Sequence, residues 1–279
     1  MAKVKSYCKI NLFLRVVGKE KNYHKIQSVN FLINLYDEIF ITRSKKNDKI
    51  KFIGPFKNII NQKNNTVTKT LKILREEKII DPHVRYNIIV NKKIPPFAGL
   101  GGGTSNAFFV AKYLLKKRLN SQTLKILKKS VGTDLLIFKE NQNFQPNLNK
   151  IKKLRKKYNL NFILVKPSFG CSTKKVYSKV NRFINKTLKD FSKINSKKQF
   201  ISLIKDEKND LQNIVTMQHT PIKTIINFLK NQKGCHFSRM TGSGSVCYGV
   251  FDSINDSKKA LRNVKKEFPN YWCQITKTI

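Results

Sequence analysis

The densest chemistry in this chain lies in one short stretch, Lys93-Ile94-Pro95-Pro96-Phe97-Ala98-Gly99-Leu100-Gly101-Gly102-Gly103-Thr104-Ser105-Asn106-Ala107. Four glycines and a hydroxyl pair stand between a run that reads as a strand and one that reads as a helix. Glycine has no Cβ, so backbone N–H groups can approach a ligand closely. Thr104 and Ser105 open the helix, where unpaired N–H groups and the positive dipole end favour an anion. The spacing suits a phosphate cradle, although a glycine-rich turn before a helix is as often only a tight turn. Two common phosphate loops do not fit. The Walker pattern needs a Lys between Gly and Ser/Thr, and Gly103-Thr104 has none. The dinucleotide fingerprint needs a third Gly where Thr104 or Asn106 stands.

Three further places carry residues of chemical interest. In Ser6–Leu14 the alternation puts Tyr7, Lys9, Asn11 and Phe13 on one face of a strand and Cys8, Ile10, Leu12 and Leu14 on the other. Lys9 and Asn11 there are either a polar ligand site or a solvated strand face. Just beyond, Asn22-Tyr23-His24 offers a ring on which a base can stack, or a core tyrosine and a surface histidine. In Ser130–Phe138 a single acid, Asp134, sits between a Gly-Thr turn and an apolar run. Partial desolvation suits such a carboxylate to general-base work, and a turn residue looks the same. In Arg239–Phe251, Gly242-Ser243-Gly244-Ser245 joins two β-like runs, as in any hairpin.

The pattern Pro-x-x-x-Gly-Leu-Gly-Gly-Gly-Thr-Ser-Asn-Ala resembles the ATP-binding loop of the GHMP kinase superfamily, which includes galactokinase, homoserine kinase and mevalonate kinase. Its triple-Gly form is most similar to that of the 4-diphosphocytidyl-2-C-methyl-D-erythritol kinases. The other segments follow in that family's order. The resemblance implies ATP and Mg²⁺ as cofactors and a small-molecule substrate, a cytidyl diphosphate alcohol phosphorylated on its 2-hydroxyl. It places Pro95, Ala98, Gly99, Leu100, Gly101, Gly102, Gly103, Thr104 and Ser105 around the nucleotide, with Thr104 or Ser105 near Mg²⁺. It makes Asp134 the catalytic base and sets Lys9 beside the reacting hydroxyl. Asn11, Tyr23, His24 and Tyr177 fall to the substrate, the two tyrosines stacking on the cytosine. Thr241, Gly242, Ser243 and Gly244 help close the active site, and Asn209-Asp210-Leu211 resembles a helix start in the second domain. The chain departs from the pattern at Tyr7-Cys8 (Pro-Ala in the family), Asn22 (Gly) and Leu136 (Pro). It also has no glycine between Gly132 and Gly170, where the family carries a glycine-rich turn near the substrate. Asn141–Asn143 and Asn147–Asn149 are the candidate replacement turns.

These residues need a scaffold of mixed elements. Strands are expected near 4–17, 29–35, 38–43, 84–91 and 161–166, a hairpin at 236–251 and a last strand near 271–277. Helices are expected near 66–77, 104–119, 121–130, 173–186, 196–206, 209–216, 221–232 and 256–268, with a link of low apolar content over 139–157. The fold class is α+β. The resemblance implies a two-domain GHMP kinase fold, with a ribosomal-S5-like N-terminal domain over 1–155 and a ferredoxin-like C-terminal domain over 156–279.

Composition limits the alternatives. Lys and Arg number 57 against 16 Asp and Glu, a net charge of +41, a field that attracts polyanions. The lysines are spread through nearly every segment among Asn and Ile, as compositional drift would leave them, with no basic tail. No nucleic-acid partner is expected. A basic RNA-binding protein on an S5-like fold is the rival reading, and a homoserine kinase-like GHMP enzyme is another. No apolar run suits a membrane span. The five cysteines are scattered without a Cys-x-x-Cys, as expected of reduced thiols in the cytoplasm, and a first motif at Ser6 gives the expectation of no leader.

Overall fold

The computed structural model describes residues 1–21 and 23–279, so Asn22 lies outside the described residues. The chain forms two compact units from interleaved segments. One comprises Met1–Cys8, Leu35–Pro96 and Gly101–Lys139, the other Lys9–Asn34, Phe97–Leu100 and Glu140–Ile279. This compaction differs from a single cut at residue 155. Its cause is the length of the first two strands, β1 (Ala2–Glu20) and β2 (Tyr23–Ser44), each of which contributes to both units. The two runs expected at 29–35 and 38–43 are one continuous strand.

In the first unit, β3 (Lys49–Ile53) pairs in parallel with β4 (Arg85–Asn91), which pairs antiparallel with Glu38–Ser44 of β2. The helix α1 (Thr66–Glu76) buries Val67, Leu71 and Leu74, one stripe at helical spacing. Asn65 caps it by accepting from the Val67 and Thr68 amides, both at 3.0 Å. It packs on α2 (Gly102–Leu115) and α3 (Ser121–Val131). Phe108 and Phe109 of α2 close on Phe138 in a short 3₁₀ segment, Thr133–Lys139.

The second unit holds the strands β5 (Gln142–Asn147) and β6 (Lys150–Lys153) where a link is expected. Gln142, Asn143, Phe144 and Gln145 are all buried, and β5 pairs with Ser28–Phe31 of β2. Buried polar side chains hide the strand from a reading based on apolar alternation. Asn141–Asn143 is therefore largely strand, whereas Asn147–Asn149 does turn, with the Asn149 amide donating to the Asn147 side chain at 2.9 Å.

A four-stranded antiparallel sheet follows, with β7 (Asn161–Lys166), β8 (Cys235–Met240), β9 (Cys247–Phe251) and β10 (Trp272–Lys277) in the order β10-β7-β9-β8. This is the ferredoxin-like arrangement that the resemblance implies. Of its helices, α4 (Thr173–Tyr177) is short, and α5 (Lys197–Asp206) and α6 (Asp210–Gln218) follow. Next, α7 (Thr220–Lys230) and α8 (Ile254–Glu267) bury Ile222, Ile225, Leu229, Ala260 and Val264 in one core cluster with Ile163, Val165 and Phe251 of the sheet. The helix expected over 173–186 stops at Tyr177. The following residues bond to the strands instead, Ile184 N to Val16 O at 3.1 Å and Thr187 N to the Gln27 side chain at 2.8 Å. Tertiary pairing there overrides local helix preference.

The phosphate-loop segment begins from a buried ion pair. Asp37 of β2 is fully buried and accepts from Lys92 Nζ at 2.5 Å and from the Lys93 and Ile94 amides at 2.8 Å each. One carboxylate thus fixes the three residues that precede Pro95. Lys92→Met would leave that buried charge without its cation, at a cost of about 3–5 kcal/mol. In denaturant unfolding, the double variant Asp37→Asn/Lys92→Met is expected to recover most of the loss. A single and a double variant of equal stability would show that the pair does not anchor this segment.

Candidate functional site

In the first unit, α2 starts at an N-cap, Gly101, in left-handed conformation. No side chain caps the helix, and no acid lies in its first turn. Its leading amides are therefore left to an outside acceptor, the condition an anion site needs. Beneath them, Lys92 Nζ lies 3.0 Å from where a Cβ on Gly102 would stand. Thr104 and Ser105 diverge. The Ser105 hydroxyl is buried and turned inward, 2.5 Å from the Tyr7 carbonyl and 2.7 Å from Ser6 Oγ. It joins α2 to β1. Thr104 Oγ1 instead faces Gly132, 2.9 Å from the position of a Cβ there.

Gly132 leads directly into Asp134, which is half-buried at the head of the 3₁₀ segment whose Leu135, Ile137 and Phe138 are buried. Burial pulls the Lys128 ammonium of α3 below its ordinary pKa, and the Asp134 carboxylate opposes that shift. Lys128 is thus an electrostatic neighbour of Asp134 that no sequence pattern singles out.

In the second unit, Lys9 is 3 % exposed, so the solvated-face reading fails for it. Its ammonium donates to Asn11 Oδ1. The Asn11 amide nitrogen donates to Ser28 Oγ at 2.9 Å and to Asn30 Oδ1 at 2.8 Å, and Asn30 donates on to Asn143 at 3.0 Å. The Asn11 side chain thus links Lys9 of β1 to Ser28 and Asn30 of β2. Ser28, Asn30 and Asn143 escaped notice. Their signal is polar residues recurring on strands otherwise made of Val, Ile and Phe.

The Gly-Ser turn lies against this pair. The Asn11 backbone N–H donates to Thr241 Oγ1 at 3.0 Å, and a Cβ on Gly242 would stand 3.2 Å from both Lys9 Nζ and Asn11 Oδ1. Gly99 comes closer still, for a Cβ there would lie 2.0 Å from the Thr241 carbonyl oxygen. Ala98 accepts from Val246 N at 3.2 Å, and Leu100 accepts from Lys9 N at 3.1 Å. Asn209 fixes the turn from behind, donating to the Met240 and Gly242 carbonyls at 2.8 Å each while its oxygen accepts from Leu211 N. Ser243 meets Thr173 hydroxyl to hydroxyl at 3.0 Å.

Two of the expected base-binding residues, His24 and Tyr177, also meet in this unit. The His24 and Tyr177 rings are 5.0 Å apart, with Phe183 at 6.3 Å from His24 and Tyr23 49 % exposed. Phe183 was missed because it falls in the segment read as helix. Burial, with the nearby Lys19 charge, holds the His24 imidazole below its ordinary pKa.

Comparison with known proteins adds sequence evidence. A family model described as GHMP kinases C terminal matches residues 184–270. A 4-diphosphocytidyl-2-C-methyl-D-erythritol kinase of Pelagibacter ubique (strain HTCC1062) is 38% identical over 290 residues, covering 99% of each chain. The chain belongs to the 4-diphosphocytidyl-2-C-methyl-D-erythritol kinase family, among the GHMP kinases. A solved 4-(cytidine 5'-diphospho)-2C-methyl-D-erythritol kinase is similar in fold at a TM-score of 0.72 and 19% identity, covering 100% of both chains. A homoserine kinase from Cytophaga hutchinsonii reaches 0.68 at 16% identity, covering 100% of this chain and 95% of its own. The fold is common to GHMP kinases of different substrates, so membership of this kinase family rests on sequence.

Two features fit a nucleotide in this kinase, the uncapped glycine start of α2 and the space at Gly103, where among the described residues Thr66 alone comes within 4 Å of a Cβ position. Among the described residues no group of three or more His, Cys, Asp or Glu could hold a metal by itself. A magnesium ion here would depend on phosphate oxygens, with Thr104 as the hydroxyl at hand.

The Gly99–Thr241 approach yields a direct test. Gly99 has φ +75, and Gly99→Ala adds a left-handed penalty of about 1–2 kcal/mol to a backbone clash. Unfolding free energy is expected to drop by about 2 kcal/mol or more, and nucleotide affinity to fall with it. A variant as stable as the parent would show that the two loops are not in contact.

Proposed function

We propose that this protein transfers the γ-phosphoryl group of ATP to the 2-hydroxyl of 4-diphosphocytidyl-2-C-methyl-D-erythritol, a step in isoprenoid precursor synthesis by the non-mevalonate route. The observation that carries the reading is 38% identity to a named kinase of that substrate across 99% of both chains. Supporting it are the Gly99–Thr104 loop leading into an uncapped helix, the buried Lys9–Asn11 pair and the His24–Tyr177 ring contact.

In this reading the α2 amides and the Gly99–Gly103 backbone hold the triphosphate, with Pro95, Ala98 and Leu100 keeping the loop in shape. Thr104 or Ser105 would lie near Mg²⁺. Bound there, ATP would supply the phosphoryl group and Mg²⁺ would neutralise its charge. Phosphoryl transfer asks mainly for positioning and charge stabilisation. Asp134 takes the hydroxyl proton, and Lys9, aimed by Asn11, orients the hydroxyl and steadies developing charge. Tyr23, His24 and Tyr177 hold the cytosine, and Thr241–Gly244 closes over the bound reactants. Residues 1–155 and 156–279 are its nucleotide and second domains. The work is cytoplasmic, in keeping with five free cysteines, and among the described residues no helix is long and apolar enough to cross a membrane.

The deciding assay measures ATP-dependent phosphorylation of the cytidyl alcohol beside homoserine and mevalonate, for the parent and Asp134→Asn. Turnover of the cytidyl alcohol alone is expected, with the variant inactive yet still binding ATP. Preference for another alcohol would move the substrate, and a variant of near-parental rate would remove Asp134 as base.

A second expectation concerns pH. The depressed pKa keeps His24 neutral at pH 7, so it protonates only below its ordinary value near 6.5. A neutral imidazole offers the base one donor and one acceptor, and protonation removes the acceptor. KM for the cytidyl alcohol should therefore rise as pH falls below 6.5, and His24→Asn should flatten that rise. An identical profile in both proteins would exclude His24 from base recognition.

A further inference from the structure

Phe97 stands in the middle of the phosphate-loop segment in a state its own chemistry opposes. Its φ is +53, a left-handed conformation that is a genuine outlier for a bulky residue. Its ring is 60 % exposed, while the neighbouring Ala98 and Leu100 are buried. The backbone strain has a visible cause. The Phe97 carbonyl accepts two amides, Cys171 N at 2.9 Å and Ser245 N at 3.3 Å, so it ties the loop to the turn before α4 and to the Gly-Ser turn. Glycine would meet that requirement without strain. Neither backbone geometry nor burial within the fold explains why a phenylalanine is there.

The loop that carries the ring borders the turn beside Lys9, for a Cβ on Gly242 would stand 2.9 Å from the Gly99 carbonyl oxygen and 3.2 Å from Lys9 Nζ. Gly170 makes room for Phe97, since a Cβ there would lie 2.6 Å from Phe97 Cβ. From that contact the chain runs through Cys171 and Thr173, which meets Ser243, and along the short α4 to Tyr177 beside His24. Phe97 therefore stands at one end, and Tyr177 at the other, of a single stretch of the second unit.

Resting on the function proposed above, we propose that the Phe97 ring is a wall of the acceptor site, covered by the C–H face of the sugar-like part of the cytidyl diphosphate alcohol. Tyr177 holds the base, and Phe97 selects for the carbon skeleton beyond it. The ribose and the terminal polyol both present such a face, and inhibition by CDP, which has the ribose without the polyol, separates them.

The test uses the full-length enzyme and the variants Phe97→Gly, Phe97→Ala and Phe97→Leu. The parent is assayed first on all three alcohols, so a failure of the functional reading appears before any variant is made and takes this proposal with it. KM for the cytidyl alcohol is expected to rise about tenfold or more in Phe97→Gly and Phe97→Ala, the share of binding due to covering one aromatic ring. Phe97→Leu should keep much of the affinity. KM for ATP should not change, and Tm of Phe97→Gly should equal or exceed that of the parent because strain is released. A parallel rise in the CDP inhibition constant assigns the ring to the ribose, and an unchanged constant assigns it to the polyol. An unchanged acceptor KM overturns the proposal. So does a lowered Tm with both KM values raised together, which would mark Phe97 as structural.

Discussion

A buried ammonium is the constraint around which the second unit is arranged. Lys9 is 3 % exposed, and a polar group taken out of water needs protein partners in its place. Asn11 answers that need, and its remaining donors are satisfied by Ser28 and Asn30, the latter linked to Asn143 of β5. The same residue's backbone carbonyl accepts from Tyr248 OH at 3.0 Å, and its amide binds Thr241. Three strands and the Gly-Ser turn are thus drawn to one residue. A partly satisfied network of this kind would cost more than an apolar core, so its members depend on one another.

The local parts of this arrangement were legible in the sequence, and the long-range parts were not. The glycine loop, the Asp134 turn and the Gly-Ser turn are continuous patterns, each a few residues long. Lys9 and Asn11 were visible as a pair two residues apart, but not the inward commitment of Asn11, which depends on residues up to 132 positions away at Asn143. Ser105 was paired with Thr104 by type, yet neighbouring residues on a helix point about 100° apart, and only one of them faces out. The 173–186 helix was misread because its competitor, pairing with Val16 and Gln27, is remote in sequence. Strand β5 was missed because its buried face is made of Asn and Gln.

The shortage of acids shapes the rest. With 16 carboxylates among 279 residues, amides and hydroxyls do work that acids often do. Asn65, Asn120, Asn209, Ser196 and Ser253 cap α1, α3, α6, α5 and α8. The few acids that are buried have specific posts, Asp37 with Lys92 and Glu207 with Arg15 at 2.6 Å. The abundant lysines largely stay at the surface, which leaves the fold compatible with a very basic exterior.

Asn209 shows how little tolerance such amide chemistry allows. Its nitrogen faces two carbonyls and its oxygen faces an amide, so the two ends of the group are not interchangeable. Aspartate has almost the same shape but no donor, and would set an anionic oxygen against both carbonyls. An Asn209→Asp change would therefore turn the clasp behind the Gly-Ser turn into a repulsive contact without changing its size.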